Sequence, residues 1–124
     1  MRLIVAAVLL ATLNCATPTE PGAATGSITL RYGQTATAGG IRVSFTDVLD
    51  SRCPKDVICV WAGDAAVRLQ SGAESVVLHT NGTVGAAAGK LDGVTMTLTE
   101  VRPEPVSSKE TRKSDYEITL RVSR

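Results

Sequence analysis

No stretch of this chain carries the apolar spacing of an amphipathic helix, whereas six segments are rich in β-branched residues and bounded by Gly, Pro, Asn or Asp. They are Ser27 to Tyr32, Gly40 to Leu49, Val57 to Gln70, Ser75 to Thr80, Gly93 to Val101 and Asp115 to Val122. In Ile41 to Leu49, the residues Ile41, Val43, Phe45 and Asp47 share one side and Arg42, Ser44, Thr46 and Val48 the other, the alternation of a half-buried strand. Tyr116, Ile118 and Leu120 share a side in the same way, against Glu117, Thr119 and Arg121. About seven short strands in roughly 100 residues predict an all-β domain: an antiparallel β-sandwich, immunoglobulin-like in outline, or a small barrel.

The strands also carry a short internal echo. Gly40 to Val48 aligns with Gly93 to Val101, and every pair except Arg42 and Thr95 is identical or conservative. Two readings stay open. The segments are either halves of a repeat that build two sheets about a pseudo-twofold, or amphipathic strands made alike by the same core requirement. Between them, Thr83 to Lys90 reads as a loop, because the alanines 86 to 88 lie between glycines and are too few to nucleate a helix.

The chain begins with Arg2 and the apolar run Leu3 to Ala11, which suits a signal-peptide core and is too short to span a bilayer. Residues 1–14 are read as signal peptide, 15–26 as a flexible tether rich in Ala, Thr, Pro and Gly, and 27–124 as one β-domain. Cys15 resembles the lipid-bearing first residue of a mature bacterial lipoprotein, although Leu13 stands one place late for that pattern and Asn14 fills its small position. Cleavage near Ala16 by ordinary signal peptidase is the alternative. Lipidation would account for the odd one of the three cysteines. It implies a membrane anchor in the bacterial cell envelope. Ala16 after the cysteine points to the periplasmic face of the outer membrane; without lipid the chain would be periplasmic or secreted.

Charge narrows the partners. Thirteen Lys and Arg less Arg2 leave twelve, against twelve Asp and Glu. Nucleic acid and anionic lipid are bound through basic clusters, which this balance does not supply. Lys109, Arg112 and Lys113 are interrupted by Glu110 and Asp115 and read as a solvated loop.

Chemistry concentrates in Asp50 to Gly63, which holds two cysteines and the only Trp. Asp50, Ser51, Pro54 and Asp56 are turn formers. Cys53 and Cys59 should form a local disulfide in an oxidising compartment, closing a ring worth about 2.4 kcal/mol on the loop-closure model. The apolar run Val57 to Trp61 reads as a strand buried on both faces, with Trp61 in the core. Asp50, Ser51, Arg52, Pro54, Lys55 and Asp56 are then the candidate interaction loop, and an envelope protein or a small ligand its expected partner. A clipped loop bearing Arg52, Pro54 and Lys55 also suits an inhibitor of a secreted protease or other hydrolase.

Other chemistry has less support. Five residues between the cysteines suit a clip better than a redox dithiol. Asp50, Asp56 and Asp64 have the chemistry of calcium ligands, yet turn aspartates commonly bond their own backbone. His79, the single histidine, lacks the companions of a zinc site and a nucleophile-elbow motif, so neither a metal, a cofactor nor a catalytic residue is assigned. The expectation is a non-enzymatic module. The corner DSRCPKDVICVWAG with Asp64 and Ala65 resembles small bacterial secreted proteins and lipoproteins in which Asp-Ser-Arg-Cys-Pro leads to Cys-x-Trp-Ala-Gly. More loosely, the likeness runs from Gly33 to the last strand. It implies an envelope-located β-domain and transfers no catalytic or binding residue.

Overall fold

The computed structural model describes residues 25–124, so the signal-peptide reading, the anchor at Cys15 and most of the tether lie outside the described residues. Eight strands occur: β1 Thr25–Arg31, β2 Thr35–Ala38, β3 Ile41–Asp50, β4 Ala65–Ser71, β5 Glu74–His79, β6 Ala88–Leu91, β7 Val94–Arg102 and β8 Glu117–Ser123. They form two four-stranded antiparallel sheets, in the orders β1-β8-β7-β6 and β2-β3-β4-β5. The domain is a β-sandwich and not a closed barrel. Phe45, Leu69 and Leu78 from one sheet meet Leu30, Leu91, Met96, Ile118 and Leu120 from the other in a core with no exposure.

Strand β3 departs from simple alternation, because a bulge at Thr46 shifts the register between Phe45 and Asp47. Past the bulge Val48 turns inward and Asp47 outward, the reverse of the predicted sides. Strand β7 repeats the device. Its bulge lies between Leu98 and Glu100, and Thr99 Oγ1 donates to the Thr119 carbonyl at 3.0 Å as Thr46 Oγ1 does to the Arg68 carbonyl at 3.3 Å.

The likeness extends to the hairpins. Strands β2 and β3 turn at Gly39 and Gly40 with φ of 60° and 84°, and β6 and β7 turn at Asp92 and Gly93 with φ of 49° and 78°. Two left-handed residues in succession give the tight turn whose twist matches the strands. In register, β2-β3-β4-β5 corresponds to β6-β7-β8-β1. The aligned segments therefore occupy equivalent places in opposite sheets, the arrangement a pseudo-twofold requires.

Three boundaries differ from the sequence reading. Strand β1 starts at Thr25, two residues into the predicted tether, because it completes a ladder with Ser123. Strands β2 and β6 are four residues each and too short for periodicity to mark, and β6 includes Ala88, assigned to a loop. Most importantly, the segment predicted as Val57 to Gln70 is a strand only from Ala65.

Candidate functional site

Strands β3 and β4 do not turn back where the sheets end. Beyond the Asp50–Ala65 pair, the Ser51 N–H donates to the Asp64 carbonyl at 2.7 Å and the Cys53 N–H to the Ala62 carbonyl at 3.3 Å, so an irregular arm continues past the sandwich. Ser51 Oγ donates to the Asp64 carbonyl at 2.9 Å and accepts the Asp64 N–H at 3.2 Å. Gly63 closes the arm with φ of 69°, and a Cβ there would stand 2.0 Å from the Ser51 carbonyl oxygen. Only glycine fits that approach. At the outer end, the Val57 N–H reaches the Pro54 carbonyl at 3.2 Å, the expected reversal. Cys53 and Cys59 form the predicted disulfide, with Cα atoms 5.9 Å apart.

The polar residues of this corner bond inward. Arg52 Nε and Nη2 donate to the two Asp50 oxygens at 2.8 and 2.9 Å, while Nη1 and Nη2 donate to the Val101 and Pro103 carbonyls at 2.8 Å each. Tyr116 OH donates to Asp50 Oδ2 at 2.7 Å. One carboxylate and one guanidinium thus join the end of β3 to the end of β7 and the start of β8. Burial would raise the Asp50 pKa, but hydrogen bonds from Arg52 and Tyr116 outweigh it and leave the carboxyl below its ordinary value. Burial and the Asp50 charge together push the Tyr116 phenol up to about 12.

Further out, Asp56 accepts the Ser107 N–H at 2.9 Å and also the Ser107 hydroxyl, and the Lys55 N–H donates to the Pro105 carbonyl at 3.0 Å. These bonds fasten the arm to the connection between β7 and β8. Of the six residues assigned to contact, Asp50 and Arg52 serve as a pin, with side chains 7% and 16% exposed. Ser51 extends the ladder, Pro54 is half-buried and Asp56 is bonded to Ser107. Lys55 alone projects a charged side chain with no protein hydrogen bond.

The apolar residues do the opposite. Ile58 is 102% exposed, Val60 94%, Trp61 81% and Val57 43%, which corrects the reading of Val57 to Trp61 as a buried strand with Trp61 in the core. An apolar run is buried only where a second sheet faces it, and the arm has passed beyond both sheets. Sequence reasoning missed these four as surface residues; the signal available was Gly63 and the disulfide, which mark a hairpin end and not a through-going strand.

Asp64, Asp56 and Asp50 each serve different partners, so the weighed calcium cluster does not assemble. Among the described residues no group of three or more His, Cys, Asp or Glu converges as a metal would require. His79 is partly covered, and its Nδ1 lies 2.7 Å from Asp64 Oδ2. Asp64 is buried and also accepts the Asn81 N–H at 3.0 Å, and bonds from His79 and Asn81 outweigh burial to hold its pKa down. The far edge of the ring packs under Gly85, where a Cβ would stand 2.5 Å from Nε2. The pair has the base and acid of a triad, but no hydroxyl or thiol among the described residues bonds Nε2. Its visible work is to secure the start of β4 to the end of β5. A polar cleft of about 540 Å³ lies beside the arm, lined by Lys55, Ala62, Thr80, Asn81 and Glu104 among others.

Comparison with protein-family models, with curated proteins and with solved structures finds no match for this chain.

Proposed function

We propose that the chain is a non-enzymatic contact module of the bacterial cell envelope, anchored by lipid at Cys15, that engages another envelope component through the clipped arm. The contact surface is the apolar tip of Val57, Ile58, Val60 and Trp61, edged by Lys55. One observation carries this reading: four apolar side chains stand in water on an arm held by a disulfide, a backbone ladder and an ion pair. Exposed apolar groups concentrated in one place characterise binding surfaces.

The fold does not demand them. The pseudo-equivalent connection between β7 and β8, residues 103–116, is of the same length, and its one aliphatic residue, Val106, is half-buried. An arm fixed before contact also loses little conformational freedom on binding. Strand β1 begins at the end of the sandwich opposite the arm, since Thr25 pairs with Ser123 whereas Arg52 bonds beside the end of β7. The N-terminal attachment therefore leaves the tip free.

Inhibition of a secreted hydrolase is the second reading, favoured by the same protruding, pre-formed arm, which suits a concave cleft. A panel of secreted hydrolases in which none loses activity would remove it. The contact reading is tested in whole cells, with a photocrosslinker placed at Val60 or at the exposed sheet residue Arg121. Adducts from Val60 alone are expected; equal adducts from both positions, or none from Val60, would refute it.

A further inference from the structure

Resting on that contact reading, we propose that the component the arm enters is a lipid bilayer, with Ile58 and Val60 in the acyl region and Trp61 at the headgroup boundary. The case begins with the shape of the tip. Side chains that are 102%, 94% and 81% exposed have almost no neighbours, so they project in several directions from a convex arm. Protein hot spots are normally surrounded by a rim that seals them from water, and a convex tip presents no such rim of its own. A fluid phase closes around it without one.

Area argues against a second copy. Four side chains, one aromatic, offer on the order of 500 Å², below the roughly 800 Å² per partner of a stable protein pair. Chemistry suits a membrane boundary: Ile58 lies at the clipped apex, while Trp61 sits nearer the base beside Ala62, and Trp favours the interface where an apolar ring meets polar headgroups. Exposed charges beside the arm show no basic excess, with Lys55 and Lys109 against Asp56, Glu104 and Glu110. That collar matches a zwitterionic surface and gives no special attraction to anionic lipid. The disulfide and the Arg52 pin remove the ordering step that a flexible loop would undergo on insertion.

The position of the N-terminus permits the same membrane to hold both contacts. Thr25 lies ten positions after Cys15, a maximum reach of about 35 Å. The longest strand, β3 with 10 residues, spans about 33 Å. Because the arm continues beyond Asp50, a domain tethered at Cys15 brings its tip to the same bilayer by lying tilted on it and not by standing end-on.

Trp61 is the only Trp in the chain and reports directly on the tip. The full chain is mixed with phosphatidylcholine vesicles whose acyl chains carry bromine, and Trp61 emission is recorded for the wild type and the double variant Ile58→Ser/Val60→Ser. A lipid anchor alone would bring the chain to the vesicle without bringing Trp61 to bromine. The expected result is blue-shifted, quenched emission that persists in high salt, with tip partitioning weakened about a hundredfold in the double variant. Both substituted residues are fully exposed, so thermal unfolding should not change and checks that the variant is folded. Unquenched Trp61 at saturating vesicles, quenching that salt abolishes, or a double variant quenched like the wild type would each overturn the inference. If Trp61 stays unquenched while Val60 crosslinks a protein in cells, the bilayer inference falls and the contact reading stands. If Val60 crosslinks nothing, both fall.

Discussion

Replacing Arg52 by Ala tests whether this residue is a pin and not a contact. Its guanidinium makes two bonds to Asp50 and two to the Val101 and Pro103 carbonyls. After the change, Asp50 keeps the Tyr116 hydroxyl and the backbone N–H of residue 52, but no cation. Breaking a buried ion pair from one side typically loses 3–5 kcal/mol, and because the Arg52 side chain retains 16% exposure the lower end applies, about 3 kcal/mol. For a domain near 100 residues that is a fall in Tm of roughly 12–24 °C. Lys55→Ala should change stability by less than about 0.5 kcal/mol, since its side chain is exposed and makes no protein hydrogen bond. Urea unfolding followed by circular dichroism measures both. Arg52→Lys should recover only part of the loss, because an ammonium cannot span the carboxylate and two carbonyls in one plane. An Arg52→Ala midpoint equal to that of Lys55→Ala would refute the assignment and return Arg52 to the set of contact residues.

Three further outcomes follow from the corner. Gly63→Ala and Gly72→Ala share a left-handed backbone, φ 69° and 58°, but an added Cβ meets the Ser51 carbonyl at 2.0 Å only in the first. Gly72→Ala should lose about 1 kcal/mol and Gly63→Ala at least twice that; equal urea midpoints would refute the close approach. The double change Cys53→Ser/Cys59→Ser should lose no more than about 2.4 kcal/mol, and amide exchange should rise in residues 54–61 and not in the core strands. Exchange that rises equally in β3 and β8 would make the bond a clamp of the whole domain. Stability should fall at both pH extremes, with opposite signs of linkage. Asp50 and Asp64 titrate below the ordinary 3.8 in the fold, so their contribution is present above 3.8 and lost as pH falls through the lower folded values. Tyr116 is raised from 10.0 to about 12, so its contribution is intact below 10 and lost as pH rises toward 12. Tyr116→Phe should flatten that alkaline limb in urea titrations; an unchanged limb would assign it elsewhere.

Much of the sandwich was legible because its core strands alternate against a facing sheet. Tyr116, Ile118 and Leu120 are buried together as their spacing indicated. The echo between Gly40 to Val48 and Gly93 to Val101 was also visible, but the shared bulges were not. An inserted residue leaves no mark in a string of apolar and polar letters until a partner strand supplies the register. Arg52 illustrates a further limit: its four acceptors include backbone oxygens 49 and 51 positions away, and no local pattern announces a long-range bond to a carbonyl.

The apolar run Val57 to Trp61 was misread for a different reason. A run of this kind reports that side chains avoid water in some circumstance; it does not say whether the covering surface belongs to the same chain. Periodicity assumes that it does. Here the ladder from Asp50 and Ala65 continues outward through Ser51 and Cys53, and each step carries the run further from both sheets. Burying Trp61 in the core would require reversing that direction at Gly63, where the backbone is already committed by its contact with Ser51. The ring closed by Cys53 and Cys59 likewise confines the run to the outer end of the arm. Any cover for these side chains therefore comes from outside the two sheets, and a hydrophobic run ending in solvent is what the alternation rule cannot foresee.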